Sequence, residues 1–180
     1  MELLKANVSE ICLRKVRRTP FAHFLRTPRI LISMPRLQAI FLSRFSCDLP
    51  GMTIVLEDRF IPFTREAISL IVGLRCYGLY IHIDGKYKSD TLKFVFAGHE
   101  DNATRNDLCT RMYEFAKAED EVYSVNFVRM FVLPICNCIF FAKSTYYIPR
   151  FCFTYVDGLS TIEEYAWGSA VYDFLLDSIP

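Results

Sequence analysis

The chain is 180 residues long, 52% hydrophobic, 15% aromatic and 23% charged, with a formal net charge of +1. So apolar a composition excludes an intrinsically disordered chain, and the length suits one domain with a substantial buried core. The small net charge hides an asymmetry: residues 1–44 carry nine Lys or Arg against two Glu, and the remainder twelve basic against eighteen acidic residues. A basic arm ahead of an acidic body either meets a polyanion or packs on the body. The expected organisation is one domain overall, with a basic arm and helix over residues 1–34 and a globular body over 35–180.

Residues 2–16 mix Leu3, Leu4, Val8, Ile11, Cys12 and Leu13 with charges, the pattern of a short amphipathic helix. Arg14, Lys15, Arg17 and Arg18 crowd four cations into five residues. Thr19-Pro20 then stops the helix, because the residue before a proline is pushed out of the α region. Such a cluster holds phosphates or is simply a solvated helix end. Residues 21–25 form a short apolar patch, where His23 reads as a packed histidine because no second ligand accompanies it.

Ser33-Met34-Pro35 opens a helix, with Ser33 as cap and the proline in the first turn. Leu37, Ile40, Phe41 and Phe45 follow at helical spacing. After the Pro50-Gly51 turn, residues 52–56 and 59–61 predict a small hairpin around Glu57-Asp58. The clearest local signal spans residues 62–74: Thr64 caps a helix, Glu66 favours its positive end, and Gly73 suits the left-handed position that closes it.

Residues 80–84 alternate as a strand running to an Asp84-Gly85 turn, with His82 on its surface. Residues 91–96 are either its partner or the start of a helix, and His99 falls in a polar loop. Residues 103–118 return to helical spacing, with Leu108, Met112 and Phe115 on one face. The run 122–141 has the ~20 residues a bilayer needs, but Asn126, Arg129, Pro134 and Asn137 interrupt it. Charge inside a span costs several kcal/mol, so the expectation is a central buried helix kinked near Pro134 and no membrane association. Residues 151–156 make a short buried element, and Asp157-Gly158 turns the chain toward its last helix.

That last helix, residues 163–179, organises the chain. Trp167, Val171, Phe174 and Leu175 recur at i, i+4, i+7 and i+8, one face of an amphipathic helix. Glu163 and Glu164 suit its positive end. Gly168 stands beside the only tryptophan. Glycine in a helix costs about 1 kcal/mol against alanine, so its presence implies that another backbone approaches closely. The fold class is mainly α with some β: a single helical domain with one or two small hairpins and the Trp-bearing C-terminal helix in the core. Trp167, Gly168, Val171 and Phe174, with Gly73, are its structural residues.

Chemistry is hard to find. The seven cysteines are odd in number and irregularly spaced, and the polar, basic N-terminus is expected to carry no secretory leader. They read as reduced, mostly buried thiols of an intracellular protein. Cys136-x-Cys138 lacks zinc-ligand spacing. Gly73 and Gly78 form no phosphate-binding signature, and no hydrolase, zinc-protease or calcium motif occurs. Neither a cofactor, a metal nor a catalytic group is expected.

Set side by side, Arg18-Thr19-Pro20-Phe21, the unit from Ile61-Pro62-Phe63-Thr64 to Gly73-Leu74, and Tyr165-Ala166-Trp167-Gly168-Ser169-Ala170 resemble the plant mobile domain (aminotransferase-like) family. They are also similar to the domain upstream of Ulp1-like cysteine proteases in plant transposons, as are Ile139-Phe140-Phe141-Ala142-Lys143-Ser144 and Val156-Asp157-Gly158-Leu159. The resemblance covers nearly the whole chain and implies a mostly helical, transposon-derived domain of the plant nucleus or cytoplasm. The leading expectation is a non-catalytic interaction module with an unknown protein partner; the basic arm itself, through Arg14, Lys15, Arg17 and Arg18, adds weak, non-specific nucleic-acid contact through phosphates. The alternative the resemblance leaves is an accessory or remnant domain of a protease or phosphatase fusion whose catalytic domain is absent from the chain.

Overall fold

Side-chain caps decide where most of the helices begin. Ser9 accepts the Cys12 amide at 3.3 Å ahead of α1, Glu10–Val16. A 3-10 turn, Ala22–Arg26, follows, then three short strands: β1 Phe45–Ser46, β2 Thr53–Leu56 and β3 Arg59–Pro62. Thr64 caps α2, Arg65–Val72, and Ser89 caps α3, Asp90–Val95. Thr104 and Asp107 form a reciprocal capping box at α4, Arg105–Ala116. Asp120 caps α5, Glu121–Ile135, which runs on as a π-helical segment, Cys136–Phe140. α6, Arg150–Asp157, a 3-10 turn, Ile162–Glu164, and α7, Trp167–Asp177, complete the chain. Each such cap is worth about 1 kcal/mol. α6 and α7 start without one, at Pro149 and Ala166.

The computed structural model describes residues 8–26, 45–46, 52–56, 59–83, 88–96, 103–142 and 147–178. The architecture is mainly helical with one small antiparallel sheet. Residues 1–29 with 82–164 form one compact unit, and residues 30–81 with 165–180 form another.

In the first unit α5 is the axis. Phe127, Val128, Met130, Phe131, Val132, Leu133 and Ile135 are all buried. The polar residues that interrupt it are buried or half-buried; Asn126 and Arg129 are bonded, while Arg129 Nε and Asn137 Nδ2 are buried without a hydrogen-bond partner among the described residues. Arg129 donates to the Asn126 side chain and to the Asp157 carbonyl, both at 3.0 Å. Asp157 in turn accepts the Asp90 and Thr91 amides at 3.0 and 3.1 Å, tying the start of α3 to the end of α6. Glu121–Phe140 is long and apolar enough to cross a bilayer, but 61% of its most apolar stretch is buried within the protein. Pro134 has no N–H to give the ladder, and the helix leaves α geometry for the π segment directly after Ile135.

α1 is pinned to the turn between α4 and α5. The Ser9 amide donates to Ala116 O at 2.8 Å, and its hydroxyl donates to Ala118 O at 2.7 Å.

In the second unit the sheet has order β1-β2-β3, with Ile54 opposite Ile61 and Phe45 opposite Ile54. α2 lies against α7. Gly73 closes α2 in the left-handed region, φ 68°, and its amide donates to Ser69 O. Trp167 is 1% exposed. The Gly168 amide donates to Arg75 O at 2.9 Å, and a Cβ at this position would lie 2.8 Å from Leu74 O. The approaching backbone is therefore that of residues 74–75. Ala166 N–H to Leu79 O (2.9 Å) and Ser169 Oγ to Cys76 O (2.6 Å) extend the same seam.

Several local expectations are corrected. Residues 80–83 form no strand; Leu79 makes a single parallel bridge to Tyr165. Residues 91–95 are helical, because Ser89 and Asp157 both accept amides of the first turn. Glu163 and Glu164 belong to a separate 3-10 turn, and α7 begins at Trp167 with no acidic first turn. The expected helix from Ser33 lies outside the described residues except Phe45, which pairs in β1. Glu57-Asp58, Asp84-Gly85 and His99 also lie outside them.

Candidate functional site

Arg14, Lys15, Arg17 and Arg18 fall on the last turn of α1 and just past it. The structure divides them. Lys15 is half-buried and pairs with Glu121, while Arg17 pairs with Glu10 at 2.6 Å. Arg14 and Arg18 are exposed, with no carboxylate partner among the described residues. Neither expected role of the arm therefore takes all four cations.

The 3-10 turn after α1 adds His23, expected to be packed, and Arg26, a later cation of the same basic arm. In this geometry side chains three apart eclipse one another. Phe21 and Phe24 are buried, and their rings lie 6.3 and 5.6 Å from that of Phe140. His23 and Arg26, also three apart, are exposed. The expectation of a packed His23 is thus corrected: Phe24 takes the inward place, and the imidazole lies 4.2 Å from the Phe24 ring. The available signal was the i, i+3 pairing of Phe21 with Phe24 against His23 with Arg26, hidden by reading the segment as one apolar patch.

Between α1 and this turn lies a groove of about 550 Å³, lined by Leu13, Arg17, Ala22, His23, Leu25 and Arg26. Leu13, Ala22 and Leu25 are half-buried and supply an apolar floor, and no carboxylate is among these lining residues.

A smaller cleft in the second unit, about 270 Å³, is bordered by Phe63, Arg65, Glu66 and Tyr172. Its charges are already satisfied internally. Arg65 bonds Asp173 at 2.8 Å, which raises the guanidinium pKa further, and it stacks over Tyr172 at 5.1 Å. The exposed Glu66 carboxylate is held below its ordinary range, first by its own backbone amide and then by the Thr64 hydroxyl. The cleft reads as a clasp between α2 and α7.

The thiols offer no activated nucleophile among those whose titration is perturbed. Burial pushes the Cys12 thiol up. Cys152 is pushed well above its ordinary value by burial and by hydrogen bonding with the Cys136 thiol. Reactive cysteines have the opposite shift. No cysteine is among the residues lining the groove that holds His23. Among the described residues, no three His, Cys, Asp or Glu gather as metal ligands.

The second unit also exposes apolar side chains, including Leu70 at 85% and Phe60 at 64%. Its edge strand is guarded. Phe63 N–H bonds Met52 O, so alternation turns the main-chain groups of Phe60 and Pro62 away from β2. Pro62 has no N–H to offer there, a recognised defence against strand addition.

Residues 4–180 match the family described as a domain of unknown function, DUF8566. The chain belongs to that family. No curated protein and no solved structure matches it. Membership in DUF8566 carries no assigned activity, so the geometry of the basic surface on the first unit bears the functional argument.

Proposed function

We propose that the chain is a non-catalytic interaction module that meets nucleic acid weakly, through phosphates, at the basic end of α1. The observation that carries this is the unequal commitment of the cations: Arg14 and Arg18 are exposed without a counter-charge among the described residues, beside Arg17, His23 and Arg26. The resemblance to plant mobile domains supports a nuclear, transposon-derived setting for such a module. Phosphate contacts position a duplex without reading its sequence, so the dissociation constant belongs at roughly 10⁻⁴–10⁻⁶ M at physiological salt and varies little with sequence.

The test is a titration of labelled duplex at two salt concentrations, with wild type and with the Arg14→Gln, Arg18→Gln double variant. The dependence of log affinity on log salt should flatten by about 0.9 for each phosphate that the variant no longer neutralises. Absence of binding at low salt, or an unchanged slope in the variant, ends this reading.

A further inference from the structure

We infer that the groove between α1 and the Ala22–Arg26 turn binds a nucleoside 5′-monophosphate, with the phosphate at Arg26, Arg17 and His23 and the sugar and base over Leu13, Ala22 and Leu25. The inference goes beyond contact with a duplex backbone, since it assigns a concave site with two chemically different halves.

The groove's volume, about 550 Å³, lies within the roughly 300–1,000 Å³ typical of small-molecule sites. Arg17, His23 and Arg26 stand at its rim, no carboxylate is among its lining residues and Glu10 offsets only Arg17, so the ligand carries negative charge. A bare inorganic anion would satisfy the rim and leave the apolar floor wet. The floor calls for a second, weakly polar part on the same molecule, and a planar base on an aliphatic surface supplies it.

The rim is also held in place. Phe21 and Phe24 are anchored against Phe140, which fixes the turn's rotation and puts His23 and Arg26 on its open side. Glu10 takes one edge of the Arg17 guanidinium at 2.6 Å. That guanidinium has five N–H donors, so the pair orients the fork while leaving donors for a phosphate. Less side-chain entropy then remains to be lost on binding.

The experiment uses the full chain and a fluorescent analogue of adenosine 5′-monophosphate, followed by anisotropy. Unlabelled nucleotide, inorganic phosphate, and single strands with and without a 5′-phosphate serve as competitors. Arg26 and His23 are exposed, so Arg26→Gln and His23→Gln should fold and melt as wild type does. Arg26→Gln should weaken binding about 10- to 100-fold, the loss of a charge-assisted hydrogen bond, and His23→Gln should weaken it less. Lys117→Gln, an exposed change outside the residues lining the groove, should leave binding unchanged.

Competition by the 5′-phosphorylated strand, but not by its 5′-hydroxyl twin, would show that the site takes a strand end. Competition by free nucleotide alone would show that it takes the free molecule. Inorganic phosphate competing as well as the nucleotide would overturn the role of the floor. No binding at millimolar nucleotide, or an unaffected Arg26→Gln variant, would overturn the site. The duplex reading fails separately, because it depends on Arg14 and Arg18 rather than on Arg26.

Discussion

Replacing Gly168 by alanine should destabilise the second unit, although alanine is the better helix former. An added Cβ would sit 2.8 Å from Leu74 O, 3.1 Å from Arg75 O and 3.1 Å from the Ser69 Cβ. The closest of these atoms is a backbone carbonyl, so relief requires α7 to move away from residues 74–75 rather than one side chain to rotate. That movement strains the Gly168 amide bond to Arg75 O and its neighbour from Ser169 Oγ to Cys76 O. Overpacking of this kind costs about 1–3 kcal/mol.

The opposing gain from helix propensity is at most about 1 kcal/mol, and Gly168 is only the second residue of the helix. The net expectation is a loss of about 1–2 kcal/mol. Urea unfolding followed by the fluorescence of Trp167, the sole tryptophan, reads the affected unit directly. A lower midpoint at unchanged slope is the expected result. An alanine variant as stable as wild type, or more so, would refute the close-approach argument.

Trp167→Ala should cost about 3–5 kcal/mol in the same assay, read by circular dichroism, as large core deletions do. Asp157→Ala should lower stability by about 1–3 kcal/mol, because two amides at the start of α3 lose their acceptor; hydrogen exchange should rise first at Asp90 and Thr91. Alkylation of the native chain should label the exposed Cys109 and Cys138 quickly, and reach Cys12, Cys136 and Cys152 only on unfolding; prompt labelling of Cys152 would contradict its burial. The expressed chain should stay in the supernatant without detergent, since Arg129 bonds Asn126 and the Asp157 carbonyl inside the unit, and partition into membranes that resists carbonate would overturn this.

The parts of the fold legible in the sequence were those whose causes are local. Thr64, Glu66 and Gly73 lie within ten residues of one another and define α2 by capping, dipole and backbone handedness. The 53–62 hairpin was legible from alternation bounded by turn residues. The failure at 80–83 is of another kind. Burial does alternate there, with Ile81 inside and His82 outside. Alternation reports an extended backbone, however, and not a ladder: the His82 amide donates to Tyr155 Oη at 2.8 Å, a side chain 73 positions away. The helicity of 90–95 likewise leans on Asp157, 66 or 67 positions distant. No window along the chain contains those partners.

The basic surface divides along the same line. The density of cations at residues 14–18 was visible at once, but their availability was not, because it depends on where carboxylates fall in three dimensions. Glu121 lies more than a hundred positions from Lys15 and still takes it, while Glu10 takes Arg17 from within the same helix. Arg14, Arg17 and Arg18 are all exposed, but only Arg14 and Arg18 have no carboxylate partner among the described residues. A histidine and an arginine that a buried pair of phenylalanines turns outward join them. Lys15 is thus withdrawn from the four expected phosphate ligands, and His23 and Arg26 are added. The exchange changes the chemistry on offer, because Arg14 and Arg18 present charge to solvent, whereas Arg26 and His23 border a groove with an apolar floor. An exposed cationic edge favours a long polyanion. A cationic rim above aliphatic side chains favours one nucleotide. The two are separable by mutation because Arg14 and Arg18 are not among the residues lining the groove.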